Sequence, residues 1–500
     1  VAGAEGDREI LDHLDPVGDR GYFHAEASLG RSESLMSKFS VYKGKKVVIM
    51  GLGRSTLALA KLLHSNGITV VVSEMNPKEN LAELAKDLSG LVPEVEAEFG
   101  KHTSTLFLDA AAVVVAPGIK LDTKPLDEVR AAGIPIMSDV EFLSQEIEVP
   151  VIAVLGTEGK TSVAFLTRAM LEAGQKNVFY CGDHGEPLAN FFSKSGKVDY
   201  VVLELSPFQL DNLQKFRPYV TVLTSLQPPF PERFPSVEAY GSVVRNLLRN
   251  LNDKNFLVYN FRDNNLKALI AGNSAAKRVY RRKDPSSLGA EIANLYKGSW
   301  LATSGRELVW KEGDQKSTFS LRGLKLYGLH NRDNLMAAVN VAKIAGVPDE
   351  AIQKVIDQFP GVPHRLEFVK KKGGVRLIND SRSTSVDTLR LALDSFPLDP
   401  IILVAGGRDA QADFASLSDV VKTRVKTLVL VGEAKEHINR CLGDFSETFL
   451  VGTFEEAVLL SYQKSREGDI ILLSPGCESY DMFVSYEERG NYFKKYVEEI

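Results

Sequence analysis

The segment Val149-Pro-Val-Ile-Ala-Val-Leu155 runs straight into Gly156-Thr-Glu-Gly-Lys-Thr161, and helix-periodic residues follow Lys160. Apolar strand, glycine loop, helix is the order that builds a buried parallel sheet with an anion cradle at a helix N-terminus. Backbone N–H groups of Gly156, Thr157, Glu158, Gly159 and Ser162 lie in or beside that loop, Lys160 adds a point charge, and Thr161 offers a Mg²⁺-ligating hydroxyl. The match to GxxxxGK[ST] is incomplete, because its first glycine would fall at Val154. An ordinary strand-to-helix turn is the competing reading.

The same pattern recurs on both sides. Residues 46–50 lead into Gly51-Leu-Gly53, a helical pattern covers 56–63, and a second apolar run covers 68–72, which makes a βαβ unit. Residues 112–116 and 134–136 read as further strands of that unit. Gly51-Leu-Gly53 lacks the last glycine of GxGxxG, so either a tight turn or a diphosphate site fits, with Glu74 at the end of the next strand. Downstream, runs at 401–404, 427–431 and 469–473 each end in a glycine or proline turn, predicting a third αβ unit.

At 500 residues, roughly three domains are expected. The boundaries read as 1–40 for a tail, 41–147, 148–359 and 360–500, the last break marked by Phe359-Pro-Gly-Val-Pro363. The first 35 residues lack an apolar h-region, so they do not read as a secretory signal, and Met36 is a plausible start. With 44% hydrophobic and 25% charged residues, disorder and collagen-like classes are excluded. A net charge of −5 gives no pull toward nucleic acid or anionic membrane. The apolar run 110–116 falls far short of the ~20 residues that span a bilayer. Cys181, Cys441 and Cys477 form no CxxC pair, which points to a reducing cytoplasm.

Several polar positions stand out. Glu204 closes the apolar run 200–205 and is either a solvated strand end or a Mg²⁺ ligand beside the glycine loop. His330, Asn331 and Asn334 open an alanine-rich helix, as N-caps or as a polar ligand face. His364 and Arg365 follow the second linker, as a hinge or as a nucleotide contact. Asn379-Asp380-Ser381 suits a capped helix start or a ligand loop at a sheet's carboxyl edge.

Taken together, GLGRS, APGI, GTEGKTS, ELSPFQL, HNRDN, GVPHRLE, INDSRSTS and LSPGCESYDMF with Arg489-Gly490, in this order from Lys46 to the C-terminus, resemble the Mur ligases, and within them the D-glutamate-adding branch. The resemblance implies an α/β protein of three domains: a Rossmann-like UDP-binding domain, a central P-loop ATPase domain and a Rossmann-like C-terminal domain presenting the amino acid. It implies ATP and Mg²⁺, the substrates UDP-N-acetylmuramoyl-L-alanine and D-glutamate, an acyl-phosphate intermediate, and a role in peptidoglycan precursor synthesis. A monomer is expected.

Carried over by position, Lys160, Glu204, His364, Arg365 and Arg382 would serve catalysis, and Thr161 and Glu204 the metal. Asn331, Asn334, Arg365 and Asp380 would join the glycine loop on ATP. Arg54, Ser55, Glu74, Asp183, Ser206 and Gln209 would face the UDP-linked substrate, and Thr384, Ser479, Tyr480 and Tyr486 the glutamate. The chain departs from the family pattern at Glu158 in the loop, at Phe230 for a metal-binding histidine, at Val244 for a carbamylated lysine and at Ala410 and Arg382 for two lysines. These departures raise the alternative of a weak or inactive nucleotide-binding protein with a regulatory or scaffolding role. If activity persists, Arg245, next to Val244, is expected to bring a compensating positive charge to the phosphates.

Overall fold

The computed structural model describes residues 39–91, 95–227 and 232–500, so the expectations for the N-terminal tail and for Phe230 lie outside the described residues. The chain forms two compact units: one runs to Phe319 and adds Met336–Ile352, the other joins Ser320–Leu335 to Gln353–Ile500.

The first unit carries two sheets. In the first of these, β1 (Lys46–Met50), β2 (Thr69–Glu74), β3 (Glu96–Phe99), β4 (Ala112–Val115) and β5 (Ile136–Ser138) lie in the order 3-2-1-4-5, all parallel. The last strand lies later than residues 134–136 because Pro135 has no N–H to donate, and only its carbonyl accepts, from Val113 N at 2.8 Å. The strand order reverses beside β1, and the Gly51-Leu-Gly53 turn follows β1 there, the place where open parallel sheets receive ligands. Gly51 has φ 92°, and a Cβ on it would sit 2.6 Å from Ile119 Cδ1, so the turn requires glycine.

The second sheet holds β6 (Val151–Leu155), β7 (Val178–Gly182), β8 (Tyr200–Glu204), β9 (Val220–Leu223), β10 (Phe256–Asn260), β11 (Ala276–Arg281), β12 (Gly298–Leu301), β13 (Glu307–Glu312) and β14 (Gln315–Ser320). Their order is 14-13-12-11-10-9-6-8-7. Strands β6 and β9 are buried along their whole length, β6 as an unbroken apolar run and β9 with Thr221 as its one polar residue. β14 instead alternates exposed and buried residues at the sheet edge.

One apolar core runs beneath both sheets, from Val47 and Leu63 through Phe142 to Phe192, Leu203 and Tyr240. Phe39 joins them, stacking on Phe142 at 5.8 Å and meeting Phe192 edge-on at 5.2 Å. Glu141 is buried and accepts backbone N–H bonds from Gln214 at 3.0 Å, Lys215 at 2.8 Å and Phe216 at 3.0 Å. A carboxylate satisfied this way ties the helix Asp139–Ser144 to the second sheet's loop without an unpaired buried charge.

The second unit is built on β15 (Glu367–Lys372), β16 (Val375–Asn379), β17 (Ile401–Ala405), β18 (Val425–Leu430), β19 (Glu447–Leu450) and β20 (Ile470–Leu473), in the order 15-16-20-17-18-19. β15 is antiparallel and the rest are parallel, with an apolar core on each face. This unit begins earlier in sequence than residue 360, since it takes in Ser320–Leu335. The reason is packing: the Tyr327 ring sits 4.8 Å from Phe396, and the Lys325 ammonium lies 4.7 Å over Phe368.

Candidate active site

In the first unit, the glycine loop follows β6 and caps the helix Lys160–Ala173. Gly156 has φ 135° and Gly159, the N-cap, φ 80°, and a Cβ on Gly156 would lie 2.2 Å from Thr224 Oγ1. Both glycines are therefore demanded by backbone geometry. Thr157 N donates to Ser225 O at 3.3 Å and Glu158 N to Ser225 Oγ at 3.1 Å, so the loop is braced against the residues that follow β9. Glu158 is exposed to solvent, which moderates its charge beside an anion. Lys160 Nζ reaches back to Thr157 O at 3.5 Å, and Thr161 and Ser162 are buried in the first helical turn.

Glu204 ends β8 beside the loop with no exposed surface. Thr161 Oγ1 donates to its Oε1 at 2.8 Å and Tyr180 OH to its Oε2 at 2.9 Å, while His184 Nδ1 lies 3.2 Å from Oε1. Burial alone would push this carboxyl up, but the His184, Thr161 and Tyr180 contacts outweigh it and hold the carboxyl below its ordinary value. Asp183 adjoins, with Oδ2 3.9 Å from His184 Nδ1. Asp183, His184 and Glu204 are the group among the described residues whose ligand atoms converge tightly enough for a metal ion. Sequence reasoning missed His184 and Tyr180, because the strand register that brings Gly182 beside Glu204 is a tertiary fact.

The residues expected to face a UDP-linked substrate divide into bound and available. Glu74 is buried, and its oxygens accept from Leu52 N at 2.6 Å, Asn76 N at 2.7 Å and Asn76 Nδ2 at 2.8 Å, so it shapes the turn after β1. Gln209 donates to Asp139 Oδ1 at 3.1 Å and accepts from Ser206 N at 3.1 Å. Ser55 also bonds Asp139, whose carboxyl is pushed up by burial against these hydrogen bonds. Arg54 is exposed and donates to Gly185 O at 2.9 Å, linking the turn after β1 to the loop after β7. The Ser206 hydroxyl is buried and has no partner among the described residues.

Val244 and Arg245 correct an expectation. Val244 is buried in the core with Tyr240, on the helix Val237–Leu248, and Arg245 stands exposed one residue on. Adjacent helical positions differ by about 100°, so no small shift aims both at one site. Arg245→Ala is therefore expected to change activity by less than about twofold in a steady-state assay, within the range of ordinary surface substitutions.

In the second unit, Asn331 and Asn334 are buried at the start of the helix Leu329–Ile344, where Asn334 Nδ2 donates to Asn331 Oδ1 at 3.0 Å and Asn331 Nδ2 to Tyr327 O at 2.7 Å. His364 and Leu366 carry positive φ values of 62° and 46°, a turn that delivers Leu366 N to Asp380 Oδ1 at 3.0 Å. Ser474 Oγ donates to Asp380 Oδ2 at 2.9 Å. Burial pushes the Asp380 carboxyl up to about 7, against the Ser474 and Leu366 hydrogen bonds and the charge of Arg365. Arg365 is half-buried beside it.

Arg382 NH1 donates to Tyr486 OH at 2.7 Å, and the Tyr486 ring meets His364 edge-on at 6.1 Å. His364 Nδ1 lies 3.0 Å from Asn379 Nδ2, and burial, then Lys494, holds its imidazole below the usual value. A Cβ on Gly490 would fall 2.1 Å from that Nδ1, so Gly490 makes room for the histidine. Ser479 is buried, whereas Thr384, Tyr480 and Ala410 are exposed. Arg489 is buried and bonds Ser381 Oγ, Ser381 O, Cys477 O and Glu478 O at 2.8 to 3.3 Å.

A raised carboxyl has a definite stability signature. Asp380 binds its proton more tightly folded than unfolded, so its contribution is fully present below about pH 4 and is lost as pH rises through about 7. Asp380→Asn is expected to remove a decline on the order of 4 kcal/mol across that window, read from urea midpoints. An unchanged pH profile in the variant would contradict it.

Three αβ sheets, a glycine loop closing on a helix N-terminus and a buried carboxylate on the neighbouring strand give an α/β protein with a phosphate-binding arrangement of the P-loop type. Residues 45–138 match the MurD-like N-terminal domain of Mur ligases, 154–342 the Mur ligase middle domain and 364–477 the glutamate ligase domain of Mur ligases. The chain belongs to the Mur ligase family. Curated relatives bear the name UDP-N-acetylmuramoylalanine–D-glutamate ligase. That of Bdellovibrio bacteriovorus is 38% identical over 93% of this chain and 99% of its own, and that of Geotalea uraniireducens 34% over 91% and 97%.

Among solved structures, a UDP-N-acetylmuramoyl-L-alanyl-D-glutamate–2,6-diaminopimelate ligase has TM-score 0.55 at 16% identity, covering 86% of this chain and 92% of its own. MurF from Acinetobacter baumannii has TM-score 0.55 at 14%, covering 89% and 99%. These two likenesses show the shared fold. No helix among the described residues is long and apolar enough to cross a membrane.

Proposed function

We propose that this chain is the ATP-dependent ligase that joins D-glutamate to UDP-N-acetylmuramoyl-L-alanine during peptidoglycan precursor synthesis, acting in the cytoplasm. The observation that carries this reading is 38% identity along nearly the whole of both chains with a relative bearing that name. The weak or inactive alternative is not favoured by that similarity.

The chemistry follows from what a carboxylate lacks. It is a poor electrophile, so one of its oxygens attacks the γ-phosphorus of ATP, ADP leaves, and an acyl phosphate forms. The amine of D-glutamate then attacks the carbonyl carbon, and the tetrahedral intermediate loses a proton and expels inorganic phosphate. The loop N–H groups and Lys160 hold and neutralise the transferring phosphoryl group. Thr161 and Glu204 offer oxygen donors 2.8 Å apart, which fits Mg²⁺, and Mg²⁺ when bound there neutralises phosphate charge.

For the other residues the roles are assigned by position in the family. Asn331, Asn334, Arg365 and Asp380 hold the nucleotide. Arg54, Ser55, Glu74, Asp183, Ser206 and Gln209 line the UDP-substrate side, with Glu74 and Gln209 acting through the loops they brace. Thr384, Ser479, Tyr480 and Tyr486 receive D-glutamate, and His364 and Arg382 support transfer. The buried, unpartnered Ser206 hydroxyl suits a hydrogen bond to substrate. The test is ADP release from the full chain with UDP-N-acetylmuramoyl-L-alanine, ATP and Mg²⁺. Release that requires D-glutamate is expected, and release indifferent to the amino acid, or none, would overturn the reading.

A further inference from the structure

We infer that a cavity at the amino end of the second sheet is an effector site for a small organic anion carrying a flat ring, separate from the glycine loop. The cavity holds about 750 Å³, inside the range of roughly 300–1,000 Å³ that small-molecule sites occupy. Its walls are the linker that joins the first sheet to β6, the loop 214–219 before β9, and Asn250, Lys254 and Asn255 ahead of β10. β6 pairs in parallel with β9, and β9 with β10, so these three segments meet at one end of the sheet. The glycine loop leaves β6 at the other end, five strand residues or about 16 Å away.

Charge sets the sign of the ligand. Lys215, Arg217 and Lys254 line the cavity against one carboxylate, Glu148, a surplus of two positive charges. The three cationic side chains are exposed and have no hydrogen-bond or ion-pair partner among the described residues. Like charges facing one hollow repel each other, and a bound anion relieves that repulsion. Ile147, Val149, Pro150 and Tyr219 supply apolar wall, while Gln145 and Gln214 supply amides, and an arginine fork stacks on flat rings.

The wall is preformed, because the loop 214–219 is pinned from three sides. Its first N–H groups bond the buried Glu141, Asn250 Nδ2 donates to Phe216 O at 3.1 Å, and Asn255 Nδ2 donates to Pro218 O at 3.0 Å. Tyr219 meets Phe256 edge-on at 5.5 Å. The helix Asp139–Ser144 connects this loop to the substrate side: Ser144 borders the cavity, Glu141 holds the loop, and Asp139 holds Gln209 and Ser55. An occupant that shifts the loop therefore moves residues facing the UDP-linked substrate. Only this coupling rests on the ligase reading; the cavity and its charge stand on geometry.

The test uses anilinonaphthalene sulfonate, a ring-bearing anion that fluoresces when bound, titrated into the full chain saturated with ADP, Mg²⁺ and UDP so that the nucleotide sites are filled. One dye per chain is expected. Arg217→Glu and Lys254→Glu are each expected to weaken it by about tenfold or more. Lys371→Glu, a charge reversal at an exposed position on β15, is expected to change it by less than about twofold. Melting curves check folding, and Lys254→Glu serves should Arg217→Glu fail to fold. In turnover without added UDP, bound dye is expected to change KM for UDP-N-acetylmuramoyl-L-alanine by about twofold or more in wild type and not in Arg217→Glu, whose kcat without dye stays at the wild-type value. Equal dye affinity in all three variants, no binding once ADP and UDP are present, or bound dye that leaves KM unchanged would overturn the effector site. Dye binding is read without turnover, so a chain that fails as the ligase still reports on the cavity.

Discussion

Glu204→Gln is expected to lower kcat for D-glutamate-dependent ADP release by roughly 100–1000-fold, the usual cost of removing one well-placed electrostatic group from a transition state. The carboxylate is fully buried, and three side chains converge on it: Thr161 on Oε1, His184 on Oε1 and Tyr180 on Oε2. Glutamine keeps the shape and one accepting oxygen, and the Tyr180 hydroxyl can rotate to accept from the amide, so the fold has no reason to fail. What disappears is the negative charge that makes the position useful to a cation. Steady-state kinetics with a parallel melting curve separates the two effects. Activity within fivefold of wild type in a folded variant would remove Glu204 from the chemistry.

Arg489→Leu is expected to destabilise the second unit by about 3–5 kcal/mol. Its guanidinium is buried, and burial, opposed by nearby Cys477 and Asp481, lowers its proton affinity to about 10. Even so it remains charged at neutral pH, and it serves the carbonyls of Ser381, Cys477 and Glu478 together with Ser381 Oγ. Leucine fills part of the space and leaves those acceptors unpaired, each at a cost of about 1–3 kcal/mol that relaxation offsets only in part. Urea denaturation followed by a signal from the second unit measures it. A loss below about 1 kcal/mol would mean that the loops 381–383 and 477–479 hold themselves without Arg489.

Much of this architecture is legible in sequence for a simple reason. β1, β6, β17 and β20 are apolar runs that end in glycine or proline turns, so burial on both faces and the turn chemistry agree. β3, with the sequence EAEF, is half polar and the edge strand β14 mostly so, and only pairing with a neighbour reveals them as strands. The glycine turn after β6 is equally legible, because Gly156 and Gly159 occupy backbone conformations that other residues rarely adopt.

The surroundings of Glu204 are not legible in this way. His184 and Glu204 are twenty positions apart, and nothing local to either predicts that parallel register will set their side chains 3.2 Å apart. Arg245 illustrates the opposite error: adjacency to Val244 in sequence suggests shared location, while helical geometry puts one in the core and the other in solvent.

The most direct measurement of the central claim follows one oxygen atom. UDP-N-acetylmuramoyl-L-alanine labelled with ¹⁸O at both oxygens of the alanine carboxylate is turned over with ATP, Mg²⁺ and D-glutamate, and both products are weighed by mass spectrometry. Transfer through an acyl phosphate predicts one ¹⁸O in each inorganic phosphate released and a product heavier by one glutamyl residue. Unlabelled phosphate, or phosphate released without the glutamyl product, would contradict the account.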